Sequence, residues 1–230
     1  MQKNKIMRYI YKAPCGELII EVNNGLVCQC QWLDAYVDIS DATAPVSLEC
    51  ESIRDRESRN TSAEDEEVMK KVILQLDQYF AGTRKAFDLP LHIEGTTFRK
   101  KVWQALMEIP YGKVVTYSEL AEKCGSRGGQ RAVAQACSDN LIPIIIPCHR
   151  VVRSDGSLGG YTIHHHTKKS TSNFVSPDCP TNLTNTSPIN YSSTYNPADM
   201  GTSKGTTPQG KAIKQYLLHL EQSIENLSLQ

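Results

Sequence analysis

Residues 142–152 read Ile-Pro-Ile-Ile-Ile-Pro-Cys-His-Arg-Val-Val, an apolar run that ends in a thiol and two side chains that can carry positive charge. Burial of such a run favours the neutral thiol, whereas nearby cations favour the thiolate, which is the nucleophile. An inert core cysteine is the alternative. The proline before Cys148 and the His149–Arg150 pair after it favour a reactive Cys148.

A cysteine hydrolase is a second interpretation of the same pair. In such enzymes the cysteine and the histidine are usually distant in sequence and meet in space. Neighbouring side chains of an extended segment point to opposite faces, so direct contact between Cys148 and His149 is awkward. A water molecule could still relay the proton if a carboxylate holds the imidazole in the right tautomer.

Two short helices are predicted upstream of this segment, and together they form a candidate helix-turn-helix. Thr-Tyr-Ser-Glu at 116–119 is a capping-box pattern that opens the first helix, and Gly125 breaks that helix. The second helix is rich in small residues and runs from about Gly128 to Ser138. Any small helical hairpin looks similar, so this pattern alone is weak evidence for DNA binding.

The N-terminal part of the chain reads as a β-hairpin. Its strands are predicted over 17–22 and 26–33, with a turn at Asn-Asn-Gly, residues 23–25. The second strand has the period-2 pattern of a half-buried strand. This pattern predicts that Cys28 and Cys30 are core thiols rather than metal ligands.

The helical patterns divide the chain into two domains. Apolar residues at helical spacing predict one helix over 64–82 and another over 98–107. We therefore expect a strand-rich acidic domain over 1–90, a linker over 91–97 and a second domain over 98–225.

A polar segment interrupts the second domain at 163–208, where 26 of 46 residues are Ser, Thr, Asn or Pro. Its few apolar residues follow neither the strand nor the helix period, so we predict a disordered insertion. The three histidines at 164–166 lack further ligands and are not expected to hold a metal. Helical spacing returns at Gly210 and ends near Glu221.

The 25 basic and 25 acidic residues of the 230-residue chain cancel, which at first argues against a nucleic-acid partner. The charges are unevenly spread, because residues 1–97 carry 11 basic and 16 acidic side chains, whereas residues 98–160 carry 9 and 5. No apolar run approaches the ~18 residues that span a bilayer, and no signal region is recognisable. Eight cysteines without a Cys-x-x-Cys pair favour reduced thiols, so we expect a cytoplasmic protein, or a nuclear one in a eukaryote.

The Pro-Cys-His-Arg-Val motif at 147–151 resembles that of the methylated-DNA–protein-cysteine methyltransferases, the O6-alkylguanine-DNA alkyltransferases. Further segments that match this family lie on both sides of the motif, at 79–82, 98–102, 109–114, 131–133, 159–161, Gly210, 216–218 and Glu221. The resemblance covers most of the chain outside 34–63 and 163–208, and the motif is highly specific.

The resemblance implies an α+β fold. The N-terminal domain would be ribonuclease-H-like, an α/β domain with a small antiparallel sheet, and the C-terminal domain would be mostly helical and winged-helix-like, with a helix-turn-helix. Some family members bind zinc in the N-terminal domain, but this chain has Val22 and Val27 at matching places. We therefore expect no metal and no other cofactor.

The resemblance also implies the chemistry. Cys148 would accept a methyl or small alkyl group from O6-alkylguanine in DNA, or less readily from O4-alkylthymine, in one irreversible turnover. His149 would deprotonate Cys148 through a water, Glu221 would orient His149, and Tyr117 would protonate N3 of the departing guanine. Further residues would line the substrate pocket, namely Val151, Tyr161, Thr162 and Pro143.

The implied partner is double-stranded DNA, from which the alkylated nucleotide is rotated into the pocket. Arg131 would fill the vacated place, and Asn140 would be the hinge after the recognition helix, which in this family enters the minor groove. Gly128 and Ala132 leave little bulk between backbone and groove. We expect a monomer that contacts phosphates through its basic middle segment. A non-catalytic relative that flags alkyl lesions is the alternative, although such relatives lack the acceptor cysteine.

Overall fold

The computed structural model describes residues 6–33, 62–161 and 208–227. The polar loop predicted over 34–63 therefore lies outside the described residues except at its last two positions. The predicted insertion also lies outside them up to residue 207, as do the histidines at 164–166 and the pocket residue Thr162.

The N-terminal half is built on a three-stranded antiparallel sheet in the order β1-β2-β3. Its strands are β1, Met7–Ala13, β2, Gly16–Asn23, and β3, Leu26–Trp32. Asn24 and Gly25 both have positive φ, 52° and 69°, as the tight turn of a two-residue hairpin requires. The predicted hairpin is confirmed, and β1 adds a third strand that the hairpin pattern does not contain.

The prediction that Cys28 is a core thiol is wrong, because β3 carries a β-bulge. Glu21 pairs with Gln29 and Val22 pairs with Val27, which leaves Cys28 as the extra residue. A bulge changes the face that the following side chains occupy. Val27 before the bulge is therefore fully buried, Cys28 is half-buried, and Cys30 after it is again in the core, as predicted.

Helix α1, Ala63–Phe80, covers one face of the sheet. It starts where the side chain of Ser62 accepts a hydrogen bond from the backbone of Asp65, a local N-cap. Apolar side chains one turn apart, such as Met69, Val72 and Leu76, are fully buried. The helix predicted over 64–82 is thus confirmed to within two residues at its end.

The C-terminal half is mostly helical. Its elements are α2, Thr97–Met107, β4, Val115–Thr116, α3, Tyr117–Lys123, α4, Gln130–Ser138, a 3₁₀ turn at Cys148–Arg150, β5, Val151–Val152, and α5, Pro208–Leu227. The two-residue strands β4 and β5 pair in parallel. The predicted capping box is confirmed, since Thr116 and Glu119 bond each other's backbone at the start of α3.

Helix α5 is longer than predicted at both ends. Pro208 is its first residue, a position where a proline loses no helical hydrogen bond. Its apolar spacing continues past Glu221 to Ile224, which packs against the core. None of the helices in the described ranges is long and apolar enough to cross a membrane.

One hydrophobic core runs through both halves of the molecule. The edge strand β3 also bonds to the C-terminal half through its backbone, because Cys30 N donates to Leu141 O at 2.9 Å. Near the start of the same strand, Val27 forms a parallel bridge with Leu91, within the predicted linker. The sheet therefore packs directly beside the loop that leads to Cys148.

Candidate active site

Cys148 lies in the buried 3₁₀ turn that follows the apolar run of residues 142–146. The run is itself folded back, because Ile146 N donates to Ile142 O at 2.9 Å and Pro143 forms a bridge with Ile146. Ile144 has a φ of 72°, which is unusual for a β-branched residue. The segment that looked extended in the sequence is thus a tight, buried turn.

Asn140, the residue after the end cap of α4, holds this turn against the thiol. Its Nδ2 donates to Ile146 O at 2.8 Å and to Cys148 Sγ at 3.3 Å, and its Oδ1 accepts from Ile142 N. The side chain is buried, not on the exposed face of α4. The structure therefore places Asn140 beside the predicted acceptor rather than on an outer surface.

Glu221 on α5 is a fully buried carboxylate that accepts five hydrogen bonds. Its donors are His149 Nε2 at 2.8 Å, Tyr79 Oη at 2.8 Å, Gly112 N at 3.0 Å, and Arg150 Nε and Nη2 at 2.9 Å each. Burial opposes ionisation of Glu221, but the hydrogen bonds from His149 and Arg150 and the charge of Arg150 outweigh it and lower the pKa of Glu221 far below the usual range. The carboxylate is therefore ionised.

The ionised carboxylate sets the state of His149. Because Glu221 can only accept, His149 Nε2 carries the proton of their hydrogen bond. Burial lowers the pKa of His149, although Glu221 acts in the opposite direction, so the ring is held neutral. Its Nδ1 is buried and has no hydrogen-bond partner among the described residues. That nitrogen is available as a base.

Arg150 does not serve the thiol in the way that the sequence suggested. Its guanidinium is bidentate to Glu221, and its Nη1 donates to Ile109 O at 2.7 Å. Side chains of consecutive residues in a 3₁₀ turn diverge by roughly a third of a circle. The expectation that Arg150 stabilises a thiolate at Cys148 is therefore wrong, and Arg150 is instead the counter-ion of Glu221.

The cation near Cys148 is Lys214 on α5, which the sequence analysis missed. Burial raises the pKa of Cys148, whereas the hydrogen bond from Asn140 and the charge of Lys214 lower it. Lys214 is fully buried, and its Nζ donates to Val151 O at 2.6 Å and to Leu158 O. Burial lowers the pKa of Lys214 to about 8. The four-residue spacing of Ile213, Leu217 and Glu221 places Lys214 next to the buried face of α5, which is a signal that could have found it.

Two further predicted site residues, the proton donor Tyr117 and the pocket residue Tyr161, lie near this group. Tyr117, at the start of α3, lies with its ring 6.0 Å from Lys214 Nζ. The Tyr117 hydroxyl lies close to Gly159, because a Cβ atom added to Gly159 would be 3.2 Å from the hydroxyl oxygen. Burial raises the pKa of Tyr117, so its phenol is protonated and can donate a proton. Tyr161 is buried, and its Oη accepts from Trp32 Nε1 at 3.2 Å.

The predicted DNA-contacting residues of the helix-turn-helix, Gly128, Arg131 and Ala132, lie on its exposed side. Val133 and Ala136 are the buried residues of α4 and pack it onto the rest of the domain. Gly128 has a φ of 81°, and no atom lies within 4 Å of where its Cβ would be. The exposed side of the helix-turn-helix thus has small residues at Gly128 and Ala132, on either side of the exposed Arg131.

No metal site is found in the part of the chain that the structure describes, since no three His, Cys, Asp or Glu side chains lie together there. Val22 and Val27, the positions that the resemblance relates to zinc ligands, are fully buried apolar residues.

A buried thiol beside a His–Glu pair, on a domain that presents a helix-turn-helix, defines a two-domain protein with a candidate nucleophilic cysteine near a candidate DNA-binding surface. Residues 97–173 match the family model of the 6-O-methylguanine DNA methyltransferase DNA-binding domain, and residues 7–93 match that of the ribonuclease-like domain of the same proteins. The chain belongs to the O6-methylguanine-DNA methyltransferase family.

Among its relatives, the methylated-DNA–protein-cysteine methyltransferase of Methanosarcina acetivorans is 50% identical over 98 residues, 43% of this chain and 63% of that protein. The constitutive enzyme of that name from Bacillus subtilis is 46% identical over 103 residues, 45% of this chain and 62% of that protein. The matching stretch thus spans a little under two thirds of the length of both relatives.

The solved structures resemble the chain over a longer range. A variant of Mycobacterium tuberculosis O6-methylguanine methyltransferase is 26% identical, with a TM-score of 0.60, and the match covers 95% of this chain and 94% of that one. M. tuberculosis OGT in complex with DNA is 25% identical, with a TM-score of 0.58 and coverage of 94% and 93%. Both the family models and these structures confirm the predicted two-domain fold.

Proposed function

We propose that the protein repairs DNA by direct reversal of alkylation. It would transfer a methyl or small alkyl group from O6-alkylguanine, and less readily from O4-alkylthymine, to Cys148. The observation that carries the proposal is the buried turn in which Cys148 precedes a neutral His149 whose Nε2 is bonded to an ionised Glu221. Membership of the family and the names of the relatives support the same reaction.

The electrostatics favour a base-assisted attack. Because burial outweighs the effects of Asn140 and Lys214 on the pKa of Cys148, the resting thiol is protonated and needs a base. His149 Nδ1 supplies that base through a relaying water, and Glu221 stabilises the imidazolium that forms. The thiolate of Cys148 therefore forms only when His149 takes up the proton of the thiol.

The reaction is then one displacement. Cys148 Sγ attacks the alkyl carbon, the bond from that carbon to O6 breaks, and its electrons pass into the guanine ring. Tyr117 donates its proton to N3, so that a neutral base leaves. A thioether has no leaving group that water could displace at neutral pH, so the protein acts once.

The proposed partner is double-stranded DNA, bound through the minor groove by the exposed side of α4, with the alkylated base rotated out. Arg131 is exposed on that side and can enter the stack. No second copy is needed to complete the group around Cys148, so we propose that a monomer acts, in the cytoplasm or in the nucleus of a eukaryote.

The proposal is tested with a duplex that contains one O6-methylguanine. The wild-type protein should remove the lesion, and Cys148→Ala should remove none. Cys137→Ala, which deletes another thiol in the vicinity of Cys148, is the matched control and should retain repair. Repair by Cys148→Ala, or loss of repair in both variants, would contradict the assignment.

A further inference from the structure

We propose that Tyr79, on α1 of the N-terminal half, is a positioning residue for alkyl transfer, because its hydroxyl holds the Glu221 carboxylate against His149. This inference rests on the proposed function, in which His149 takes the proton of Cys148. It assigns the N-terminal half a part in the chemistry in addition to its part in the core.

The hydroxyl and the imidazole meet at one carboxylate oxygen. Tyr79 Oη and His149 Nε2 each lie 2.8 Å from Glu221 Oε1, and all three side chains are fully buried. Burial and the charge of Glu221 raise the pKa of Tyr79 well above its ordinary value, so the phenol keeps its proton and donates. A hydrogen bond to a carboxylate is roughly twice as strong as one between neutral groups.

The position of this hydroxyl is set by α1 and not by the active-site turn. Tyr79 lies in the last turn of α1, and its ring packs edge-on against Phe80 at 5.3 Å and Tyr111 at 6.0 Å between ring centres. Phe87 packs on the same ring at 5.4 Å. A ring fixed on several sides gives its hydroxyl little freedom, so Tyr79 is a rigid point to which Glu221 is attached.

The hydroxyl also limits how strongly Glu221 attracts the proton of His149. Oε1 receives three donors, Tyr79, His149 and Arg150 Nη2. Each donor stabilises the negative charge on that oxygen, so loss of one makes the oxygen a stronger acceptor for the rest. Loss of the Tyr79 hydroxyl should therefore raise the pKa of His149.

Removal of only the Tyr79 hydroxyl keeps the other groups that face His149 and Glu221. They are Arg150 in the 3₁₀ turn, Lys214 on α5 and the ring of Tyr111, which lies 5.7 Å from the Arg150 guanidinium. Both cations lower the pKa of His149, and neither touches Tyr79 through a hydrogen bond to its hydroxyl. A change in the titration of His149 can thus be attributed to Tyr79.

The experiment uses Tyr79→Phe, which removes the hydroxyl and keeps the ring. The rate of transfer from free O6-methylguanine to Cys148 is measured against pH. His149 must be unprotonated at Nδ1 to act, so a raised pKa moves the acid limb of the profile upward. We expect an upward shift of about one pH unit, which makes the reaction roughly tenfold slower at a pH on the acid limb.

Tyr11→Phe is the matched control. Tyr11 Oη donates to Asp77 on the same helix at 2.8 Å and makes no bond to Glu221. This variant loses a tyrosine–carboxylate bond of the N-terminal half, and its acid limb should coincide with that of the wild type. If Tyr79→Phe reduces stability but leaves the acid limb unmoved, the positioning role is refuted.

A second substitution tests the sign of the effect and covers the case in which Tyr79→Phe does not fold. Site-specific 3-fluorotyrosine at position 79 is a stronger donor of nearly the same size. It should move the acid limb downward, opposite to Tyr79→Phe. A shift in the same direction, or none, contradicts the proposal.

Failure of the positioning role of Tyr79 can be distinguished from failure of the proposed alkyl transfer. If the wild-type protein transfers no alkyl group, the proposed function fails, and the test of Tyr79 passes to an NMR titration of the His149 ring. A higher titration midpoint in Tyr79→Phe than in the wild type supports the positioning role, and equal midpoints overturn it.

Discussion

At the scale of single residues, the sequence identified Cys148, His149 and Glu221 through the family motif, and the structure brings them together. The contact between Arg150 and Glu221 could not be predicted from the sequence. Arg150 bonds Glu221 because the Cys-His-Arg segment forms a 3₁₀ turn instead of an extended strand. Lys214 comes 66 positions after Cys148 along the chain, and only the packing of α5 makes them neighbours.

Lys214 predicts a pH dependence of stability. Its pKa of about 8 in the folded protein lies below the ordinary 10.5, so the unfolded chain binds more protons between these values. Stability then rises with pH over that window. Relative to Lys214→Met, the wild type should gain about 3 kcal/mol in unfolding free energy from pH 8 to 10.5.

Urea unfolding of both proteins at several pH values measures this difference. Loss of the bonds to Val151 O and Leu158 O adds an offset that does not vary with pH. Lys211→Met, on the exposed side of the same helix, should follow the wild type throughout. A difference between wild type and Lys214→Met that stays constant with pH would contradict the assignment.

At the scale of elements, features that depend on neighbouring residues could be predicted from the sequence, and features that depend on strand pairing could not. The capping box of α3 and the N-cap region of α1 depend on residues three positions apart, so the sequence shows them directly. The bulge at Cys28 depends on how β3 pairs with β2. In β1, Tyr9, Tyr11 and Ala13 alternate on the buried face, but that pattern does not show which strand β1 pairs with. Strand register is a property of the pair and not of either strand.

Helix α4 carries a prediction on DNA. If Arg131 fills the place of the rotated base, Arg131→Ala should slow repair of duplex substrate by at least about tenfold, because flipping costs a few kcal/mol. The reaction with free O6-methylguanine needs no flipping and should change by less than about twofold.

Rates for both substrates decide between this role and a general effect on the fold. Arg84→Ala removes a positive charge of the N-terminal half, where Arg84 bonds Gln78, and should leave both rates unchanged. Equal losses with duplex and free base in Arg131→Ala would remove the case for base flipping by this residue.

At the scale of the whole molecule, the zero net charge is an average over an acidic N-terminal part and a basic middle. That basic segment contains the exposed side of α4, so the charge of the whole chain says little about a nucleic-acid partner. The predicted two-domain fold is confirmed, and in the described residues one hydrophobic core and side-chain hydrogen bonds such as Tyr79–Glu221 and Trp32–Tyr161 join the two halves.

A shared core predicts that both halves unfold together. The chain has two tryptophans, Trp32 on β3 and Trp103 on α2. In Trp103→Phe the fluorescence reports on the sheet, and in Trp32→Phe it reports on the C-terminal half. In each variant the fluorescence and far-UV circular dichroism midpoints should coincide. Separate midpoints would show that the halves are independent folding units.

The central claim is that Cys148 accepts one alkyl group and is then spent. The most direct test is to incubate the protein with an excess of duplex containing O6-methylguanine and to follow intact mass and peptide masses with time. The account predicts that methyl transfer stops at one group per protein, carried by the peptide with Cys148. Continued turnover beyond one equivalent, or a methyl group on any other residue, would contradict it.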